Sequence, residues 1–360
     1  MTIVRRFAAA VAALVLVGAC GGSSREAGAG TTVGATAVST SVASVAPGTL
    51  PPTSASPTPP VPHMFTDAQG RNVEVPANPE RVLALSEPTL DGSLALGIVP
   101  VGTSAGRGQS GVSGYLATHD GGVAADIPIV AALAAPNLEL IAAARPDLIL
   151  LDGTSVNDDA VMAQLDAIAP TVWLSAPGDD WKQAFVALGD VLGVPDRAAA
   201  VLADYDARVA EIAAALGDHA GATVSIVRWG LVGPALILKE LPASRVVADL
   251  GLARPPEQDR EGLGHSEPVS LERLDTIDAD WIFLGALGMV DGPTNDQVGT
   301  AASEAALARA VESPGFTNLS AYQNDHIVPV DGTVWTSAGG PLAANLVLDD
   351  IERSLTTEMP

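Results

Sequence analysis

Residues 178–217, GDDWKQAFVALGDVLGVPDRAAAVLADYDARVAEIAAALG, dictate two helices in succession, and that pair limits what the rest of the chain can build. Trp181, Phe185, Leu188 and Leu192 recur at the steps of an apolar helical stripe, with Asp179 or Asp180 as the cap and Gly193 as the stop. Pro195 opens the second helix, whose stripe Leu202, Tyr205, Val209, Ile212 and Leu216 runs for about 20 residues, roughly 30 Å. A rod of that length spans a domain.

The segments on either side of the rod echo one another. Asn137-Leu-Glu-Leu-Ile-Ala-Ala-Ala-Arg-Pro-Asp-Leu-Ile-Leu150 aligns without a gap on Ser270-Leu-Glu-Arg-Leu-Asp-Thr-Ile-Asp-Ala-Asp-Trp-Ile-Phe283, so that Glu139 falls on Glu272 and Asp147 on Asp280. Each unit reads as a capping residue, a short helix with Glu in its first turn, a turn ending in Asp, and an apolar strand. Two similar α/β lobes joined by a rigid helix are the expected architecture.

Arg5 and Arg6, the apolar run from Phe7 to Val17 and the small residues before Cys20 form a leader too short to span a bilayer stably. Val17-Gly18-Ala19-Cys20 resembles a lipobox, with Cys20 as the lipidated first residue of the mature chain; Cys20 is the sole cysteine, so no disulfide is available. Residues 21–62 are Gly, Ser, Thr, Ala and Pro with little to bury, a disordered tether. Lobes at 63–178 and 221–360, with linking helices at 179–220, complete the expected division.

The formal net charge of −24, with only two lysines, Lys182 and Lys239, excludes nucleic acid as a partner, because phosphate binding needs clustered cations.

In chain order, Met64 to Val75 reads as a hairpin, Arg81 to Leu85 as a strand, Pro88 to Leu96 as a helix and Ile98 to Val101 as a strand. Thr223 to Val227 and Ala235 to Leu238 are strands of the second lobe, and Pro341 to Leu355 closes the chain as a helix. The alternation predicts α/β lobes with mainly parallel sheets, which bind ligands beyond the carboxyl ends of their strands. Those ends carry Glu87, the Gly-rich loop around Arg107, Asp152 to Thr154, Arg228-Trp229, and the turn Asp331 to Trp335.

Catalytic motifs fail on context. Gly102-Thr-Ser-Ala-Gly106 matches a nucleophile elbow, but the Gly-rich residues after it do not start a helix. Gly106-Arg-Gly-Gln-Ser-Gly111 lacks the helix that would hold a pyrophosphate. The five histidines fall in separate segments and suggest no metal cage, although His265 stands in a charged loop where it can touch a ligand. Arg228 and Trp229 offer a guanidinium for anionic oxygens and an indole for a planar group; the alternative is Trp229 in the core and Arg228 on the surface. Trp335 and Tyr115 divide the same way. Trp173, Trp181 and Trp281 sit in apolar periodic runs and read as core. Glu139 and Glu272 satisfy the helix dipole, worth about 0.3–1 kcal/mol, and their symmetry also suits a pseudo-symmetric basic partner.

The lipobox, the tether, Asp67-x-x-Gly70, Pro79-Glu-Arg-Val82, the single long helix and the paired Leu-Glu units together resemble the helical-backbone class of solute-binding lipoproteins of ABC importers, in particular the FecB-type binders of ferric siderophores, haem and vitamin B12. The resemblance covers Phe65 to the end. It implies a non-enzymatic, monomeric receptor held by its lipid on the outer face of the cytoplasmic membrane, two Rossmann-like lobes that open little, and no cofactor of its own. Its ligand would be a ferric siderophore, with haem or cobalamin as alternatives. Glu139 and Glu272 would pair with arginines of a permease dimer that is coupled to an ATPase. By motif position the ligand would meet Arg107, Tyr115, Arg228, Trp229 and Trp335, with Glu87, Arg254, Arg260 and His265 as lesser contacts. A cell-envelope scaffolding role is the competing reading, and a hydrolase lacks an assembled nucleophile and base.

Overall fold

The computed structural model describes residues 61–132, 135–155, 158–262, 266–287, 299–337 and 339–356. The leader with Cys20, the tether up to residue 60, and His265 lie outside the described residues.

A hairpin of His63–Thr66 and Asn72–Val75 precedes a six-stranded sheet in the order Ala135–Pro136, Ile129–Ala132, Gly102–Ser104, Val82–Ala84, Leu148–Leu151, Thr171–Trp173. All its pairings are parallel except the one at the short Ala135–Pro136 edge. The predicted strand at Ile98 to Val101 lies a few residues late, at Gly102–Ser104. Ser104 is therefore a buried strand residue rather than the tip of an elbow.

The second sheet has five strands, ordered Ser266–Pro268, Gly233–Ile237, Val224–Gly230, Trp281–Ala286, Ile327–Asp331, and it shares none with the first. It is mixed rather than mainly parallel. Only Leu231 and Val232 separate Val224–Gly230 from Gly233–Ile237, and so short a connection joins antiparallel strands alone. The edge pairing of Ser266–Pro268 with Gly233–Ile237 is antiparallel as well, and the other two, of Trp281–Ala286 with Val224–Gly230 and with Ile327–Asp331, are parallel.

The sequence echo has a mechanical content. Asp147 accepts from the backbone N–H groups of Glu80 (2.8 Å) and Arg81 (2.9 Å), pinning the start of Val82–Ala84 to the start of its neighbour Leu148–Leu151. Asp280 does the same for the N–H and hydroxyl of Thr223, at 2.7 and 2.8 Å, fixing Val224–Gly230 beside Trp281–Ala286. These bonds hold the Asp280 carboxyl below its usual range. Leu138–Ala144 is an α-helix capped by Asn137, whereas Leu271–Ile277 winds as 3₁₀ after Ser270.

The rod forms as Trp181–Val191, capped by Asp180, and Pro195–Ala215, 21 residues long. Gly193 ends the first at φ +72°, a left-handed conformation that costs a glycine little. Both lobes use the rod as core. Leu188, Val191, Leu192 and Ala198 pack with Val82, Leu148 and Val172 of the first sheet. Tyr205, Ile212 and Leu216 pack with Val224, Ile226 and the closing helix Pro341–Leu355 of the second. Leu202 touches both clusters, so neither lobe can turn without disturbing the packing of a shared helix.

A single carboxylate adds a polar tie. Asp91, on helix Glu87–Ala95 of the first lobe, is fully buried and accepts from the backbone N–H groups of Leu342 and Ala343, each at 2.9 Å. Those amides are unpaired donors at the start of Pro341–Leu355, so the helix of one lobe is capped by the other. Tyr115 donates its hydroxyl to the same carboxylate at 3.1 Å. Replacing Asp91 with Ala should cost about 1–3 kcal/mol in a urea melt, because buried donors lose their acceptor. Asp91→Asn, which keeps one oxygen, should lose less.

Candidate ligand-binding cleft

The loops at the carboxyl ends of both sheets meet around a cavity of about 460 Å³. From the first lobe come Thr89, Arg107, Asp152 to Thr154 and Ser175 to Asp179; from the second, Glu240 to Pro242, Ser337 and Gly339 to Pro341. The volume falls in the range of roughly 300–1,000 Å³ typical of small-ligand sites. Trp181, Phe185 and Leu188, on one face of the rod's first helix, also line it. The indole N–H of Trp181 is buried with no acceptor.

Arg107 is the one basic residue among the described lining residues. Its loop is closed by the hydrogen bond from the Gly106 N–H to the Gly111 carbonyl, and its Nε donates across the cleft to Ser337 Oγ at 2.9 Å. Arg228, on the neighbouring strand end of the second lobe, donates from Nε to Thr336 Oγ1 at 3.0 Å and from Nη2 to the Thr336 carbonyl. Burial, with the charge of Arg107 adding to it, pushes Arg228 down to about 10, so it remains cationic at neutral pH. Neither forms a salt bridge with a carboxylate among the described residues. Two guanidiniums within electrostatic reach of each other, neither in a salt bridge among the described residues, in a chain of net charge −24, are a place for a ligand's anionic oxygens.

Glu87 stands behind Arg107, 8% exposed, and accepts the Ser113 hydroxyl. Burial pushes its carboxyl up to about 7, against the opposing pull of Arg107. The lining carboxylates are partly engaged: Asp152 Oδ1 accepts the N–H and hydroxyl of Thr154 and the hydroxyl of Ser155.

Several predicted contacts lie elsewhere. Arg228 and Trp229 are successive residues of a strand, so their side chains leave opposite faces of the sheet and cannot grip one ligand together. Trp229 is 4% exposed and packs edge-on against Phe316. Trp335 is wholly buried, stacked on Phe283 at 4.3 Å, with its indole N–H on Asp350 at 2.7 Å. The expected turn around it is the short helix Gly332–Thr336, capped by Asp331; Gly332 makes this possible, since a Cβ there would meet the Ala286 backbone at 2.2 Å. Tyr115 is committed to Asp91. Arg260 pairs with Glu267, and Arg254 belongs to a second cavity. Glu139 and Glu272 are exposed, each in the first turn of its helix and so at the carboxyl edge of its sheet, and their carboxylates have no hydrogen-bond or ion-pair partner among the described residues.

Two α/β sheets sharing a rigid helix, with a cavity between their carboxyl edges, define a bilobal binding fold. Residues 108–333 match the Periplasmic binding protein family, and the chain belongs to it. It is 32% identical over 292 residues to the probable siderophore-binding lipoprotein YfiY of Bacillus subtilis, covering 79% of this chain and 85% of that protein. Similarity to the Fe(3+) dicitrate-binding periplasmic protein FecB of Escherichia coli is 24% over 276 residues, 76% and 83% of the two chains. The crystal structure of Staphylococcus aureus SirA complexed with staphyloferrin B superposes with a TM-score of 0.68 at 26% identity, covering 82% of this chain and 99% of that one.

The raised Glu87 and Asp91 set the expected pH response. The folded state holds both protons more tightly than the unfolded chain does, so stability falls as pH rises from 4.5 to about 7 for Glu87 and from 3.8 to about 6 for Asp91. Ionised Glu87 also offsets the charge of Arg107. Affinity for an anionic ligand should therefore weaken as pH rises through about 7, and titrations from pH 5.5 to 8.5 should show that slope flattened in Glu87→Gln.

Proposed function

We propose that the protein is a lipid-anchored receptor that captures a ferric siderophore in the interlobe cleft and delivers it to an ABC importer. The observation that carries this reading is Arg107, the one basic residue among the described lining residues of the cleft, with Arg228 close behind it and neither held in a salt bridge among the described residues. The chelate supplies all the iron ligands, and its anionic oxygens face Arg107, with Arg228 adding charge from behind. The Ser175 hydroxyl offers a neutral hydrogen bond, and the aromatic rings of Trp181 and Phe185 provide an apolar surface. The siderophore and ferric citrate binders among the relatives support this class of ligand. A haem reading is less well supported, because an axial oxygen from Tyr115 is already bonded to Asp91.

Cys20 carries the lipid, and the tether lets a monomeric body reach the permease. Glu139 and Glu272 dock on basic residues of the permease dimer, whose ATPase drives release. Exposed apolar side chains flank both: Leu140 beside Glu139, and Leu271 beside Glu272.

Titrating intrinsic Trp fluorescence with ferric citrate, a ferric catecholate, a ferric hydroxamate, haemin and cobalamin should give saturable quenching by one of the ferric chelates. Arg107→Ala should weaken that binding at least tenfold, the loss expected of a charged hydrogen bond worth about 1.5–3 kcal/mol. Unchanged affinity would refute the site. In iron-limited cells, Glu139→Ala combined with Glu272→Ala should abolish chelate uptake while leaving affinity in solution intact.

A further inference from the structure

A second cavity, of about 290 Å³, lies beside the helix Pro242–Asp249, with Glu240 lining both it and the interlobe cleft. In a chain with two lysines, both line this cavity, together with Arg245 and Arg254. Some of these charges are satisfied. Lys182 pairs with Asp249 at 2.8 Å and Asp206 at 3.3 Å, and Arg245 donates to the carbonyls of Gly178 (2.7 Å) and Glu240 (3.3 Å).

The others are not. Arg254 uses Nη2 on the Ile237 carbonyl (2.7 Å) and on Gln258 Oε1 (2.5 Å), but its Nε and Nη1 are shut off from solvent with no acceptor. The Ser244 hydroxyl is buried and unpartnered, as is Glu240 Oε2, while Oε1 of the same carboxylate takes the Gly262 N–H at 3.0 Å. Lys239 is exposed and forms no ion pair among the described residues. A buried guanidinium N–H without an acceptor is costly, and folded proteins seldom keep one without use.

The unfilled groups form a specific inventory: guanidinium N–H donors, a hydroxyl and an ammonium, against one carboxylate oxygen that needs a donor. We propose that this cavity binds a small oxyanion that still carries an O–H, hydrogen phosphate or a hydroxycarboxylate such as citrate, with its charged oxygens on Arg254, Ser244 and Lys239 and its own proton on Glu240 Oε2. An anion with no proton, such as sulfate, meets the Glu240 carboxylate lone pair to lone pair and is rejected. Asp180, Asp249, Asp259 and Glu261 also line the cavity. Burial pushes Arg254 down to about 9, which leaves it cationic at neutral pH.

Calorimetric titration of the folded protein at pH 7 with inorganic phosphate, iron-free citrate and sulfate tests the assignment. Saturable binding of phosphate, citrate or both is expected, with sulfate at least tenfold weaker than the better of them. The stronger titrant identifies the source of the oxyanion. Lys239→Gln, an exposed change that does not threaten folding, should weaken binding several-fold, and Arg254→Gln should abolish it. Glu240→Gln should narrow the preference over sulfate by about tenfold. Failure of both phosphate and citrate to bind, equal binding of sulfate, or binding that is lost in Arg107→Ala yet unaffected by Lys239→Gln would overturn the proposal. The last result would place the anion in the interlobe cleft, so the two sites are judged separately.

Discussion

Asp91 is the point at which the two halves of the molecule become one binding protein. Its carboxylate is taken out of water, which drives its pKa up to about 6, and two backbone amides from the opposite lobe and the Tyr115 hydroxyl partly offset that cost. An apolar contact at this junction would tolerate sliding; a carboxylate that caps a specific helix end fixes both position and direction. The long helix acts in the same sense by contributing side chains to both cores. Together they hold the cleft at one width, and the cavity beside Arg107 is largely formed before any ligand arrives, which lowers the ordering cost of binding.

The electrostatics follow from that rigidity. With its large excess of carboxylates the protein as a whole repels anions, so selective capture needs a local reversal of sign. In the proposed reading, half-buried Arg107 and Arg228 near each other, with Glu87 largely neutral at moderately acidic pH, supply it without a salt bridge that the ligand would have to break. The exposed Glu139 and Glu272 place negative charge at the carboxyl edges of both sheets.

Much of the fold was legible in the sequence because it rests on local rules. The apolar stripe of Trp181 to Leu192, the cap at Asp180 and the stop at Gly193 are statements about neighbouring residues, and the rod formed where they placed it. The repeat was visible too, and Asp147 and Asp280 show why its turn ends in aspartate: each ties adjacent strands together. The binding residues were harder to read. For Arg228-Trp229 the sequence leaves a shared grip on a ligand and a core Trp229 both open, and the period of two along a strand decides for the core Trp229. Trp335 stays undecided between core and ligand contact in the sequence, because a five-residue helix is too short to display periodicity and its partner Asp350 is distant along the chain. Conversely, Trp181 and Phe185 carried a core pattern and are indeed buried, yet they line the cavity. A helical stripe reveals which face is covered, not whether another side chain or a ligand covers it.

The account rests on a preformed cleft whose positive centre is Arg107. A crystal structure of the protein with its ferric chelate tests this most directly. It should show chelate oxygens within hydrogen-bonding distance of the Arg107 guanidinium, beside Trp181, with Asp91 still bonded to Leu342 and Ala343. A chelate bound outside this cavity, or lobes rotated so that the Asp91 contacts are broken, would contradict it.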